Sequence, residues 1–359
     1  MKLNFCTLFD SNYLTRGLAL YESLKQNSPS FHLYIFAFDN NCFKILKNMA
    51  LENATIISLS DFEDEKLLSI KNTRTRVEYL WTCTPSIVLY TIKNFNIDIC
   101  TYLDADLYFY DDPYCLIKEL GSNSVLITQH NYYKLYDESE YSGIYCVQFL
   151  AFKSDENSLE VLNFWRDSCI SWCHNSVDNG KYGDQKYLDL WPINFKGIKV
   201  SSNHGAGVAP WNLLRYEFTI SDNKIFIKLK NDNLNTPLVF FHFHGLTFYK
   251  NETLKLTHHK YVIPEIVLHK IYVPYIEHLE LLKEKIEKLD NSFDPNGSLE
   301  PFLKKDFGLK YLVKSYFSDI KWDLKKLLRS IFFVNIIEKI KFFKGLYNKD
   351  SLLNKIINK

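Results

Sequence analysis

From Leu3 to Leu103 short apolar runs alternate with segments of helical periodicity, and few folds accommodate that rhythm. Leu3–Phe9, Leu33–Phe38, Thr55–Leu59 and Ile99–Leu103 read as strands, and Tyr13–Gln26 and Phe43–Met49 as helices. Thr84-Pro85 predicts a further helix start, because Thr caps well and Pro at the first helical position loses no needed hydrogen bond. Runs of this kind suit strands buried on both faces. The predicted fold class is therefore α/β, a mainly parallel sheet with helices on both faces. Further along, Ser124–Thr128, Tyr145–Phe152 and Leu238–His244 read as strands and Ser158–Trp172 as a long helix. Lys181–Trp211, rich in Gly, Asn and Trp, reads as a loop suited to a site. A helical pattern returns over Tyr261–Leu289, and Asn291–Pro301 has the composition of a linker. The expected organisation is a catalytic domain over residues 1–250, a helical extension and linker over 251–301, and a basic tail over 302–359.

Charge narrows the partners. The 359 residues carry a net charge of +1, which gives no nucleic-acid signature. The last 58 residues hold 14 Lys/Arg against 5 Asp/Glu, a net of +9, so the rest carries −8. Within that tail Leu309, Leu312, Tyr316, Ile320, Leu324, Leu327 and Ile331 recur at helical spacing, with Lys310, Lys314, Lys321, Lys325 and Arg329 mostly off the stripe. Such a helix suits either an anionic membrane surface or packing against protein. The eight cysteines form no CxxC pair and sit mostly in apolar runs, as expected for a reducing cytoplasm. The N-terminus lacks the pattern of a signal peptide, and no apolar run approaches the ~20 residues of a spanning helix. The expected location is cytoplasmic, with the tail peripheral on the membrane's inner face.

Three motifs carry chemistry. Asp104-Ala105-Asp106 follows directly on the strand Ile99–Leu103. Residues two apart in an extended segment face one side, so both carboxylates can reach one cation. Hard oxygen ligands at a strand's C-terminal end suit Mn²⁺ or Mg²⁺ on a diphosphate, although a bare pair of this kind also occurs on solvated turns. His242 and His244 share the same two-residue period before Gly245, as ligands or as satisfied core histidines. Asp184 and Gln185 in Tyr182-Gly183-Asp184-Gln185 suit a sugar site, or Asp184 is a helix N-cap. In the loop His204–Asn212, small residues permit close approach, and His204, Trp211 and Asn212 are candidate acceptor or sugar contacts together with His244.

Taken in order, Thr7, Asp10-Ser11-Asn12-Tyr13, the Asp104/Asp106 pair, Gly183-Asp184-Gln185 and His242-Phe243-His244-Gly245 resemble GT-A glycosyltransferases over about residues 1–250. The spacing is similar to the retaining family that includes glycogenin and bacterial lipopolysaccharide galactosyltransferases. It is closer still to a group of uncharacterised bacterial sugar transferases with WTCTP, LDADLYF, GDQKYLD and GVAPWN segments. The resemblance implies a donor site of Thr7, Asp10, Asn12, Tyr13, Asp104, Ala105 and Asp106, with the nucleoside on Asp10, Asn12 and Tyr13. It implies a metal on Asp104, Asp106 and His242, and catalytic roles for Asp184 and Gln185 beside the transferred sugar. The implied partners are a nucleotide-sugar donor, UDP-linked by preference, and a glycan or lipid-linked acceptor. The family's Arg shortly before its metal pair and its Lys-Pro-Trp after the His motif have no match here. Two rival readings share these residues: a sugar nucleotidyltransferase, and a non-catalytic carbohydrate- or membrane-binding protein. The first needs a Gly-rich basic loop after the first strand, and Cys6–Gly17 offers one Arg and one Gly.

Overall fold

The computed structural model describes residues 2–230 and 232–301. Strand β1 (Leu3–Phe9) leads through a 3₁₀ turn, Ser11–Tyr13, into α1 (Leu14–Asn27). Next come β2 (Phe31–Ala37), α2 (Asn40–Met49), β3 (Ala54–Ser58) and the short helices α3 (Leu59–Phe62) and α4 (Glu65–Lys71). Helix α5 (Arg76–Phe95) precedes β4 (Ile99–Leu103) and β5 (Leu107–Phe109). After α6 (Tyr114–Leu120) the chain forms β6 (Val125–Gln129), α7 (Ser139–Ser142), β7 (Tyr145–Lys153), α8 (Glu156–Ser171), α9 (Trp191–Asn194) and β8 (Ile198–Val200). The remaining strands used below are β9 (Tyr216–Ser221), β10 (Lys224–Leu229), β11 (Thr236–Pro237) and β12 (Phe240–His242).

The main sheet has seven strands in the order β3-β2-β1-β4-β7-β6-β8. Four of its six pairings are parallel, and β7 runs antiparallel between β4 and β6. Alternation along β1 assigns the two faces. Cys6 and Leu8 join a core that includes Ile87 and Val88 of α5 and Val161, Leu162 and Trp165 of α8. Phe9 lies on the opposite face, where its ring fills the space that a Cβ on Gly17 of α1 would occupy, 2.3 Å away. Helices thus cover both faces, and each fully buried Leu or Phe contributes about 1.5–3 kcal/mol relative to exposure.

Helix α5 begins eight residues before the Thr84-Pro85 start expected from sequence. Thr75 and Glu78 form a reciprocal capping box, which satisfies two orphan N–H groups and starts the helix there, with Pro85 accommodated inside it. Trp81 and Thr84 therefore lie on one helical face rather than in a loop. Glu78 does more than cap: Oε1 also accepts from the Asn175 backbone N (2.9 Å) and lies 3.2 Å from His174 Nδ1. These backbone hydrogen bonds, first Asn175 and then Thr75, hold its carboxyl down at about 2. A depressed carboxylate contributes stability that is full above its ordinary value of 4.5 and is lost as pH falls towards 2. The melting temperature of Glu78→Gln should accordingly lie below wild type at pH 6, and the gap should close on acidification to pH 2. A gap independent of pH would refute that assignment.

The chain divides into two compact units. The first comprises residues 1–245 and 256–297, and so includes the short α10 (Glu265–Val267) and α11 (Val273–Glu287), which packs on α1. The second, among the described residues, comprises 246–255 and 298–301, where Thr247–Phe248 pairs with Leu254–Lys255 and Tyr249 bridges Leu299. The basic tail, 302–359, lies outside the described residues. Among the described residues no helix is long and apolar enough to cross a membrane.

Candidate active site

Because β1, β2 and β4 are parallel, their C-terminal ends share one edge of the sheet, the edge at which open α/β sheets bind ligands. Asp10 follows β1, Asp39 follows Ala37 of β2 by two residues, and Asp104 follows β4. Asp104 and Asp106 are not on an extended segment as the sequence suggested. They sit in a turn closed by Leu107 N donating to Asp104 O (3.3 Å), and the turn brings the two carboxylates together. Strand β5 leaves that turn and pairs with β12, placing His242 opposite Leu107. Phe243 N then donates to Asp106 O (3.0 Å), and β12 ends at His242, two residues short of the expected His244.

One ligand atom from each of Asp104, Asp106 and His242 lies within 4.8 Å of the others. His242 Nε2 is 3.2 Å from Asp106 Oδ1 and 3.8 Å from Asp104 Oδ2. The other ring nitrogen, Nδ1, is 2.9 Å from Oε1 of the fully buried Gln148. Gln148 Nε2 donates to Thr128 Oγ1 (3.3 Å), so Oε1 is the acceptor and Nδ1 carries the proton. That arrangement points Nε2 at the carboxylates, where a cation can take the place of its proton. Two carboxylates and one imidazole fit Mn²⁺ or Mg²⁺. Gly207 (φ +79°) makes the arrangement possible, since a Cβ there would stand 2.4 Å from Gln148 Nε2.

The charges couple. Burial raises the Asp104 carboxyl to about 6, with Asp106 adding and His242 and Tyr102 opposing. Tyr102 donates its hydroxyl to Asp104 Oδ1 (2.9 Å). Burial also acts to raise Asp106, but the charge and hydrogen bond of His242 hold it at about 2. Burial alone would lower His242; the charge of Asp106 and its hydrogen bond prevail, and the imidazole is held well above its usual value. A cation entering this set displaces a proton, so its affinity rises with pH.

Asp184 is buried beside this group, and burial, reinforced by the Asp104 charge, raises it to about 7. Its backbone carbonyl accepts from the core indole Trp165 Nε1 (2.7 Å). It is not an N-cap: the 3₁₀ turn Lys186–Leu190 is entered from the half-buried Gln185 with no side-chain cap. Asp10 caps Asn12 N (2.9 Å), and its second oxygen pairs with Arg76. Arg76 also reaches Asp39 Oδ2 (2.8 Å), tying the ends of β1 and β2 to the first turn of α5. Asn12 and Tyr13 are exposed, and the charges of Asp106, Asp10 and Asp104 are all felt at the Tyr13 phenol. Thr7 is buried on β1, and its Oγ1 has no hydrogen-bond partner among the described residues. Ala105 is buried within the turn.

Trp211 and Asn212 hold the loop rather than offer it. Asn212 Nδ2 donates to His130 O (2.9 Å) and Gly207 O (2.8 Å), and Trp211 Nε1 to His130 O (2.7 Å). The Trp211 ring, 4% exposed, packs edge-on against His242 (5.4 Å) and His244 (5.5 Å), which leaves little free face for a sugar. His244 is exposed, and His204 packs near Tyr216 at 6.5 Å. The residues that sequence reasoning missed are Gln148, Tyr102, Arg16 and Arg76. Gln148 left a signal, a lone amide within the apolar run YCVQFLAFK, which must find a partner when buried.

The fold and site define an α/β chain with a carboxylate–carboxylate–imidazole set at the ligand edge of a mainly parallel sheet. No family model matches the chain. It is similar to two proteins of Bacillus subtilis (strain 168): the uncharacterised YfnD, 28% identical over 81% of this chain and 92% of that one, and the uncharacterised YfnF, 27% identical over 81% and 96%. Among solved structures it is similar to an active-site mutant of LgtC, with TM-score 0.45 and 14% identity over 75% of this chain and 100% of that one. It is also similar to the glycosyltransferase GlyE of Streptococcus pneumoniae TIGR4, with TM-score 0.40 and 14% identity over 58% of this chain. That match spans about half of the GlyE chain, 47%.

Proposed function

We propose that this chain is a metal-dependent GT-A-type glycosyltransferase that moves a sugar from a nucleoside-diphosphate donor, UDP-linked by preference, to an acceptor hydroxyl. The observation that carries the reading is the convergence of Asp104, Asp106 and His242 at the sheet's ligand edge, with Gln148 fixing the imidazole. Those three residues would hold Mn²⁺ or Mg²⁺, which when bound supplies positive charge to the diphosphate leaving group. Asp10, Asn12 and Tyr13 bind the nucleoside, beside the cation ligands. Asp184 and Gln185 face the transferred sugar. A carboxyl near 7 suits accepting the acceptor's proton if the reaction inverts configuration. Retention, which the family resemblance favours, needs no strong base there. The acceptor is a glycan or lipid-linked sugar of bacterial surface polysaccharide, and the basic tail docks the enzyme on the anionic inner face of the membrane.

A screen of nucleotide sugars for release of nucleoside diphosphate, with Mn²⁺ and with EDTA, tests the reading directly. Turnover of at least one donor that EDTA abolishes is the expected result; none with any donor refutes it. Asp10→Ala should weaken donor binding about tenfold by calorimetry and lower stability by about 1 kcal/mol through the lost cap. A change in acceptor affinity alone would show that Asp10 does not serve the donor.

A further inference from the structure

The segment Asn291–Pro301 has the composition of a linker, yet its middle is built into the edge that carries Asp10, Tyr13 and Asp106. Asn296 is 2% exposed. Its Oδ1 accepts from Thr15 Oγ1 (2.6 Å), its Nδ2 donates to Glu280 Oε1 (2.9 Å) and its carbonyl accepts from Arg16 Nη1 (3.0 Å). Gly297 follows in the left-handed region (φ +61°), and a Cβ there would stand 2.6 Å from Asn12 O. The turn thus touches Asn12, Thr15 and Arg16 in succession.

Arg16 is itself 3% exposed, with its guanidinium carbon 4.4 Å from the centre of the Tyr13 ring. Its positive charge is felt at Tyr13 on one side and at the Asp106 carboxylate on the other. In the donor reading above, a diphosphate would join a nucleoside at Tyr13 to a cation held by Asp106, the two groups at which this charge acts. A buried arginine is costly unless fully satisfied, and the Asn296 carbonyl is one acceptor placed to do that.

We propose that Arg16, set in place by the turn Asp294–Gly297, is a positioning residue for the nucleoside diphosphate, orienting the Tyr13 ring and holding positive charge beside Asp106. This rests on the donor-binding reading above. A purely structural arginine and a positioning one differ in sign. Removing a cation beside a metal site leaves Mn²⁺ binding unchanged or tighter, whereas removing a donor-positioning group weakens the nucleotide. Collapse of the site weakens both.

The test is calorimetry on the full chain with two probes, Mn²⁺ alone and UDP at saturating Mn²⁺. Arg16→Met should weaken UDP about tenfold while Mn²⁺ alone binds as well as in wild type or better. Arg16→Lys, which keeps the charge without the planar contact, should recover part of the UDP affinity and restore wild-type Mn²⁺ binding. Gly297→Ala should weaken UDP with Mn²⁺ binding unchanged, and it carries the test if Arg16→Met does not fold. Unchanged UDP affinity in Arg16→Met and Gly297→Ala, or parallel loss of both probes, overturns the inference and leaves the donor reading standing. A wild-type chain that binds Mn²⁺ but no UDP, GDP or ADP overturns both.

Discussion

Asp106→Ala should lower metal-dependent turnover by about a hundred- to a thousandfold while the protein remains folded. The carboxylate lies in the turn after β4, outside the sheet, and the backbone hydrogen bond from Phe243 N to Asp106 O survives the substitution. What is lost is one of three converging ligands and the group that most raises His242. Without it, the Asp104 carboxylate still lies 3.8 Å from Nε2, so His242 is not left as an unpaired buried charge. Mn²⁺ binding by calorimetry and donor hydrolysis should fall together, with the circular dichroism spectrum and melting transition close to wild type. The wild-type cation affinity should also weaken as pH falls, because the cation must displace the proton held by His242 and, below about 6, a second one gained by Asp104. Undiminished turnover of Asp106→Ala in EDTA would remove the metal from the account.

The strands adjoining the site were legible because their apolar runs are short and bounded by polar residues. Leu3–Phe9 and Ile99–Leu103 occupy the predicted residues. The start of α5 was not, because Thr84-Pro85 is a good local start signal and the stronger one, Thr75 with Glu78, lies in a polar stretch without an obvious apolar stripe. The metal-type set was legible as residue types, two carboxylates and a histidine at strand ends. Its geometry was not. The approach of His242 depends on β12 pairing with β5, and its orientation on β7 lying antiparallel to β4 so that Gln148 reaches the imidazole. Such long-range register leaves no local trace. Composition misleads for the same reason at Trp211 and Asn296, whose tertiary partners bury them.

The second large effect is expected at a residue that is itself no ligand. Gly207→Ala should weaken Mn²⁺ binding about 10- to 100-fold, the range found when a partner that orients a ligating histidine is lost. Two costs combine at this position. The φ of +79° strains any residue with a Cβ, and that Cβ would stand 2.4 Å from Gln148 Nε2. Either the loop withdraws, taking with it the Val208 carbonyl that accepts from His242 N (2.9 Å), or the Gln148 amide shifts and Oε1 leaves Nδ1. Gln148→Leu reaches the same end directly: Nδ1–H is left buried without an acceptor, and the ring is free to turn Nε2 away from Asp106. If both substitutions act through that one hydrogen bond, the double variant should be little worse than the poorer single variant. Fully additive losses would mean that Gly207 serves the loop and the amide serves the imidazole independently. Wild-type Mn²⁺ affinity in Gln148→Leu would show that the two carboxylates alone set the site.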